Sequence, residues 1–272
     1  MSIHPTAIID PRAKLASDIE VGPYVVIDGP AEIGPGCRLQ PHSRVSGRTL
    51  MGARNVLHSF AVVGDTPQDR KFHDEPSTTI IGDDNIFREG VTIHRGTGEN
   101  TVTKIGSRCF FMCNSHVGHN CTVEDDVILV NGALLGGHVS VGTRTIISGN
   151  CGLHQFVRVG KLAMISNAST HNQDIPPFCT AMFYDQINSL NFVGMRRAGY
   201  SRQDISAMRF LFRVLCHRTT TLAHTLEQLP AEIKAAATVQ EFTVFCQHSE
   251  RGIADFVTIS QSRGAGYTAE ST

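Results

Sequence analysis

The chain has 272 residues, 41% of them hydrophobic, and a formal net charge of −1 at pH 7. Lys and Arg form no long runs, which argues against nucleic acid or an anionic membrane as the main partner, since both call for a basic face. The opening MSIHPTAIID lacks the basic-then-apolar pattern of a secretory signal, and no stretch approaches the ~20 apolar residues that span a bilayer. With eight scattered cysteines and no signal, the expected setting is a reducing cytoplasm.

Tryptophan is absent and aromatics make up only 7%, so the core must be aliphatic. From Ile3 onward an apolar residue recurs every sixth position: Ile9, Leu15, Val21, Ile27, Ile33, Leu39, Val45, Met51, Leu57, Val63, then Ile81, Phe87, Ile93, then Ile105 through to Ile165. Only Asp69, Glu75 and Glu99 break the series. Neither an α-helix nor an isolated alternating strand has this period, and a sandwich of short strands would alternate in twos. The period predicts a triangular parallel β-solenoid: each hexapeptide is a strand and a corner, three make a coil of about 18 residues, and the in-phase aliphatic points inward. Each such side chain contributes about 1.5–3 kcal/mol on burial, so the column holds the coils together. Gly follows it at 22, 34, 64, 82, 106, 142 and 160, read here as the mark of a tight turn. The phase lapses over 64–80 and 94–104 and resumes unchanged, which predicts two loops thrown out from corners.

Past Pro176–Pro177 helical signals take over. The predicted division is a solenoid over 1–180 and a helical region over 181–272. A helix is expected near Asn188–Arg197, stopping at Gly199. Ser201 with Asp204 reads as a capping box ahead of Ile205, Met208, Leu211, Phe212 and Leu215, and Thr238 with Glu241 as a second ahead of Phe242 and Phe245. Pro230 separates shorter pieces, and the tail after about Gly252 is expected to be poorly ordered.

The densest chemistry lies in CFFMCNSHVGHNC, from Cys109 to Cys121. With 18 residues per coil, His119, Gly137 and Gln155 stack in one column, flanked by His138 and His154. A neutral imidazole, unperturbed pKa ~6.5, can take a hydroxyl proton as it attacks a thioester, and an unobstructed N–H at Gly137 can hold the oxyanion. The bland alternative is a set of solvated corner imidazoles. A zinc site from Cys109, Cys113, His116, His119 and Cys121 is disfavoured, because neighbouring strand residues face opposite ways. No metal is expected.

The motifs TPQDRKF (66–72), TIHRGT (92–97), NSHVGHNC (114–121), GGHVSV (136–141), HQF (154–156), QDIPPF (173–178) and GMRRAGYSR (194–202) together resemble the bacterial UDP-N-acetylglucosamine acyltransferases that begin lipid A synthesis. The resemblance spans roughly residues 1–250. It implies a left-handed parallel β-helix with a C-terminal helical domain, assembled as a homotrimer with its site between adjacent solenoids. It implies a 3-hydroxyacyl donor on acyl carrier protein, a UDP-sugar acceptor, and no further cofactor. By motif match His119 is the general base and Gly137 the oxyanion donor. Gln68, Asp69, Lys71, His116, His138, His154 and Gln155 would contact the acceptor, and Asn191 and Arg197 the nucleotide. Met164 and Asn167 would wall the acyl chain. Four departures bear on this: Asn120 where an acidic residue usually follows the base, Val193 for a Glu, Ala198 for a second Arg, and Asn167 for a Gly that leaves room for a long acyl chain. Competing readings are a paralogue that N-acylates a 3-amino sugar, a metal-dependent hydratase on the same fold, and a non-catalytic sugar-binding solenoid.

Overall fold

The computed structural model describes residues 2–258. From Val21 to Ile165 every apolar residue on the six-residue phase is buried, whereas Ile3, at the open end of the first coil, is 40% exposed. Short strands on these positions build three sheets of 12, 9 and 8 strands; within the coils each strand pairs in parallel with the one a full coil away, and the twelve-stranded sheet also takes in a hairpin beyond them. The stagger is eighteen residues in ordinary coils, as in Ser2 with Glu20 and Ile128 with Ile146. The architecture is the expected left-handed parallel β-helix followed by helices.

The two loops are whole-repeat insertions. Arg48 pairs with Thr78, thirty residues on, and Thr78 with Val102, twenty-four on. The segments 66–77 and 95–101 therefore lengthen their coils by two repeats and one, which is why the phase survives them.

The glycines serve a different purpose from the one expected. Of the seven that follow in-phase aliphatics, only Gly64 has positive φ; the left-handed residue at each corner comes three after the aliphatic, as at Asn120 (φ 61), His138 (φ 62) and Phe156 (φ 68). What the glycines permit is close stacking: a Cβ on Gly142 would lie 2.5 Å from the Lys161 nitrogen, and one on Gly34 2.6 Å from the Gly52 oxygen.

The largest sheet continues past the prolines. Cys179–Met182 pairs in parallel with Met164–Ile165 and turns back antiparallel into Gln186–Leu190, so Asn188 is in a strand and the helix expected there begins later. Helix α1 is Phe192–Arg197, capped by Asn191. Helix α2, Arg202–Cys216, carries the predicted Ser201–Asp204 capping box and buries Ile205, Met208, Leu211 and Leu215. Helices α3 (Leu222–Glu227) and α4 (Ala231–Lys234) lie on either side of Pro230. The second capping box does not form. Helix α5 is Ala237–Gln247, so Thr238 is buried in its first turn, and Glu241 instead pairs with Lys161 at 2.7 Å.

Buried Asp174 pins this region to the last coils, accepting from the Arg158 N–H and the Ser249 hydroxyl, both at 2.8 Å. The tail expected to be loose is docked as far as it is described: Asp255–Phe256 adds a parallel strand to Gln186–Leu190. The rest of that expectation, 259–272, lies outside the described residues. Among the described residues no helix is long and apolar enough to cross a membrane.

Candidate active site

The vertex between the nine-stranded and eight-stranded sheets carries the histidines. His116 ends on the outer face of its strand, and the chain then turns through Gly118, His119 and left-handed Asn120 into the next sheet. Equal coil length places Gly137 against His119 and His138 one step further on: the His138 N–H donates to the His119 carbonyl at 2.9 Å, and the Phe156 N–H to the Gly137 carbonyl at 3.0 Å. His119 is only 6% exposed. Its ring lies over Gly137 so closely that a Cβ there would come 2.5 Å from Cε1. Among the described residues the Gly137 N–H donates to nothing.

Each ring nitrogen of His119 meets one neighbour. Nδ1 lies 2.7 Å from Asn120 Oδ1, and Nε2 lies 3.8 Å from the Asp69 carboxylate, delivered by the 66–77 loop. The His138 ring stands edge-on to His119, 5.2 Å between centroids, and stacks at 4.5 Å on exposed Phe156. His116 takes its orientation from Thr92 Oγ1, 2.8 Å from Nδ1, and meets the edge of His94 at 5.0 Å. Burial, then the neighbouring imidazoles His94 and His119, push the His116 pKa down to about 4. Burial also lowers His94 and His138, and in each case His119 adds to the effect. The cluster is thus held neutral, as a set of hydrogen-bonding groups around one base.

Sequence reasoning placed His116, His119, Gly137, His138 and Asp69 here, and they do converge. Gln155 and His154 follow one coil along, both exposed, His154 within 3.3 Å of the Arg251 guanidinium. Gln68 and Lys71 are exposed on the first loop. His94, Thr97 and Phe156 were missed as site residues. His94 and Thr97 escape a search at eighteen-residue intervals because their coil is six longer.

Asn191, Arg197 and Met164 lie elsewhere. They line a groove of about 760 Å³, with Val193, Ala198 and Arg144, against the twelve-stranded sheet. In a triangular prism that face is opposite the histidine vertex. Asn191 is occupied locally, accepting from the Gly194 N–H at 2.8 Å and donating to the Leu162 carbonyl at 2.9 Å. Asn167 is exposed at the vertex between the twelve- and nine-stranded sheets. The cysteines do not join the histidines: buried Cys109 and Cys121 donate to the Glu124 and Gly136 carbonyls, and Cys113 to Glu89. Among the described residues no three His, Cys, Asp or Glu could hold a metal.

A prism of stacked hexapeptide coils, with an oriented imidazole over a free glycine N–H, defines a hexapeptide-repeat transferase. Residues 103–137 match the bacterial transferase hexapeptide family, and residues 174–254 match the second domain of UDP-N-acetylglucosamine O-acyltransferase. An acyl-[acyl-carrier-protein]–UDP-N-acetylglucosamine O-acyltransferase from Anaeromyxobacter sp. (strain Fw109-5) is 40% identical over 255 residues, covering 93% of this chain and 99% of that one. The solved LpxA structure from Acinetobacter baumannii has a TM-score of 0.89 at 38% identity, over 93% of this chain and 99% of its own. The Francisella novicida UDP-N-acetylglucosamine acyltransferase superposes with a TM-score of 0.88 at 30% identity, over 99% of this chain and 98% of its own. The chain belongs to the UDP-N-acetylglucosamine O-acyltransferase family, and it is an acyltransferase.

Proposed function

We propose that this protein moves a 3-hydroxyacyl group from acyl carrier protein to the 3-hydroxyl of UDP-N-acetylglucosamine, the opening step of lipid A synthesis, in the cytoplasm and with no cofactor beyond the carrier's thioester. His119 Nε2 takes the hydroxyl proton as the oxygen attacks the thioester carbonyl. The oxyanion of the tetrahedral intermediate accepts from the Gly137 N–H. Collapse breaks the C–S bond, and the imidazolium returns its proton to the departing thiolate. The observation that carries this reading is His119 lying against Gly137, its Nδ1 bonded and its Nε2 turned toward Asp69.

The remote groove bears on assembly. A site that uses both the histidine vertex and Asn191, Arg197 and Met164 requires two copies of the chain, since one copy carries them on opposite sides. This supports a homotrimer, with the acceptor gripped between solenoids and Met164 and Asn167 walling the acyl chain.

The direct test incubates the protein with acyl carrier protein thioesters and UDP-N-acetylglucosamine or its 3-amino analogue, and reads products by mass. Ester formation on UDP-N-acetylglucosamine is expected; product from the amine alone would reassign the acceptor. For assembly, His119→Ala and Arg197→Ala protomers, each inactive alone, are co-refolded. Sites that combine one intact face from each should recover part of the activity; mixtures as dead as their parents would refute a shared site.

A further inference from the structure

We propose that the peptide backbone of Thr97, acting through the side chain of Asn120, decides which nitrogen of His119 carries the proton, making Asn120 a positioning residue for the base. The inference deepens the acyl-transfer reading and rests on it for its kinetic part only.

The two ends of an asparagine amide have nearly the same shape, so a histidine beside one could face either an acceptor or a donor. Here a third group removes the choice. Asn120 Oδ1 accepts from the Thr97 N–H at 2.9 Å, while Asn120 Nδ2 donates to the Thr97 carbonyl at 3.2 Å. A backbone N–H only donates and a carbonyl only accepts. Turning the amide over would set donor against donor and acceptor against acceptor, losing both bonds. Asn120 cannot easily swing away either. Its own N–H donates to Thr103 Oγ1 at 2.9 Å, and it sits at a left-handed corner that asparagine tolerates.

With Oδ1 fixed as the atom 2.7 Å from His119 Nδ1, Nδ1 must bear the proton. In the neutral ring Nε2 then keeps its lone pair and faces the acceptor. The arrangement works against a competing pull. Asp69, the carboxylate 3.8 Å from Nε2, favours a proton on Nε2, which would block the base. Among the described residues, the imidazoles of His94, His116 and His138 are also coupled to His119, and Asp65 and Arg95 act on His94. On the Nδ1 side the Thr97–Asn120 clamp opposes Asp69.

The clamp is also specific for an amide. A carboxylate at 120 could still accept from Nδ1, but its second oxygen would meet the Thr97 carbonyl at the present 3.2 Å spacing. That carbonyl already accepts from Thr101 Oγ1, so order in the 95–101 segment and competence of the base are tied together.

The test uses the full-length protein labelled with ¹⁵N-histidine, with the His119 resonances assigned by loss in His119→Gln. Above pH 7.5 the wild-type ring is expected as the Nδ1–H tautomer; an Nε2–H ring would overturn the proposal without any variant. In N120A the ring should convert to Nε2–H, and kcat should fall about 10²–10⁴-fold with KM within about threefold. In N120D the added anion favours imidazolium, so the acid limb of kcat/KM moves to higher pH while the Nδ1–H form is kept. An unmoved limb, or N120A turning over near the wild-type rate, counts against the clamp. Failure of wild-type protein to acylate UDP-N-acetylglucosamine would sink the functional reading and leave the tautomer result standing.

Discussion

Replacing Gly137 with alanine isolates the contact between base and oxyanion donor. Gly137 is outside the left-handed region, so alanine can adopt its backbone without strain. The three atoms nearest the added methyl all belong to the His119 ring: Nε2, then Cε1 at 2.5 Å and Cδ2 at 3.0 Å, against about 3.5–4.0 Å for an unstrained carbon contact. Relief requires the imidazole to move by about 1 Å, against its bond to Asn120. A misplacement of that size costs about 10²-fold in rate, or about 3 kcal/mol of barrier. The methyl leaves the solenoid core untouched, so stability should change by less than about 1 kcal/mol. The assay is steady-state turnover with an acyl carrier protein thioester, paired with thermal unfolding. Turnover within threefold of wild type at unchanged stability would show that the ring does not work over Gly137, and the mechanism would fall with it.

Two further perturbations test separate parts of the structure. His171 occupies the interior phase position above Leu153, and burial pushes its pKa down to about 4, with Asp185 at 3.7 Å too far to bond. A histidine depressed below its unfolded value of ~6.5 destabilises the fold as pH drops through that window, because the unfolded chain binds the proton first. In denaturant titrations, His171→Leu should therefore lose about 2–3 kcal/mol less than wild type between pH 7.5 and 4.5; parallel losses would show that His171 stays neutral in both states or finds a partner. At the proposed acyl wall, wild-type protein should prefer ten-carbon over fourteen-carbon donors and Asn167→Gly should shift the preference longer, measured as kcat/KM ratios; a clear wild-type preference for the fourteen-carbon donor would remove Asn167 from that role.

The solenoid was legible because one physical demand, burial of a single inward side chain per strand, repeats at fixed spacing with nothing to compete with it. His119 against Gly137 followed from the same arithmetic. What stayed hidden has particular causes. The Gly142 and Gly160 class of glycines looks like turn residues, yet the constraint is the backbone of the next coil. Thr238 and Glu241 have capping-box spacing, but α5 starts two residues too early for Thr238 to cap it, and Lys161 claims Glu241. Asn188 has a helix-compatible neighbourhood but sits at the bulge of the antiparallel hairpin in the large sheet. The tail beyond Gly252 reads as poorly ordered until Phe256 is seen buried. That Asn191, Arg197 and Met164 lie on the opposite side of one chain from the histidines is a property of the prism, and no motif records it.

The loops connect this arithmetic to the chemistry. Both insertions are whole repeats, so the six-residue phase of the sequence runs through them unchanged. They arise from successive coils and lean on each other, with Asn100 N–H donating to the Pro76 carbonyl and the Arg95 guanidinium over Phe72 at 5.1 Å. One brings Asp69 to Nε2 and the other brings Thr97, through Asn120, to Nδ1. His119 therefore sits on a rigid coil, while the contacts of both its ring nitrogens trace back to segments the repeat does not constrain. Such a division lets the tautomer of His119 be altered through loop residues without disturbing the column of aliphatics that holds the coils together.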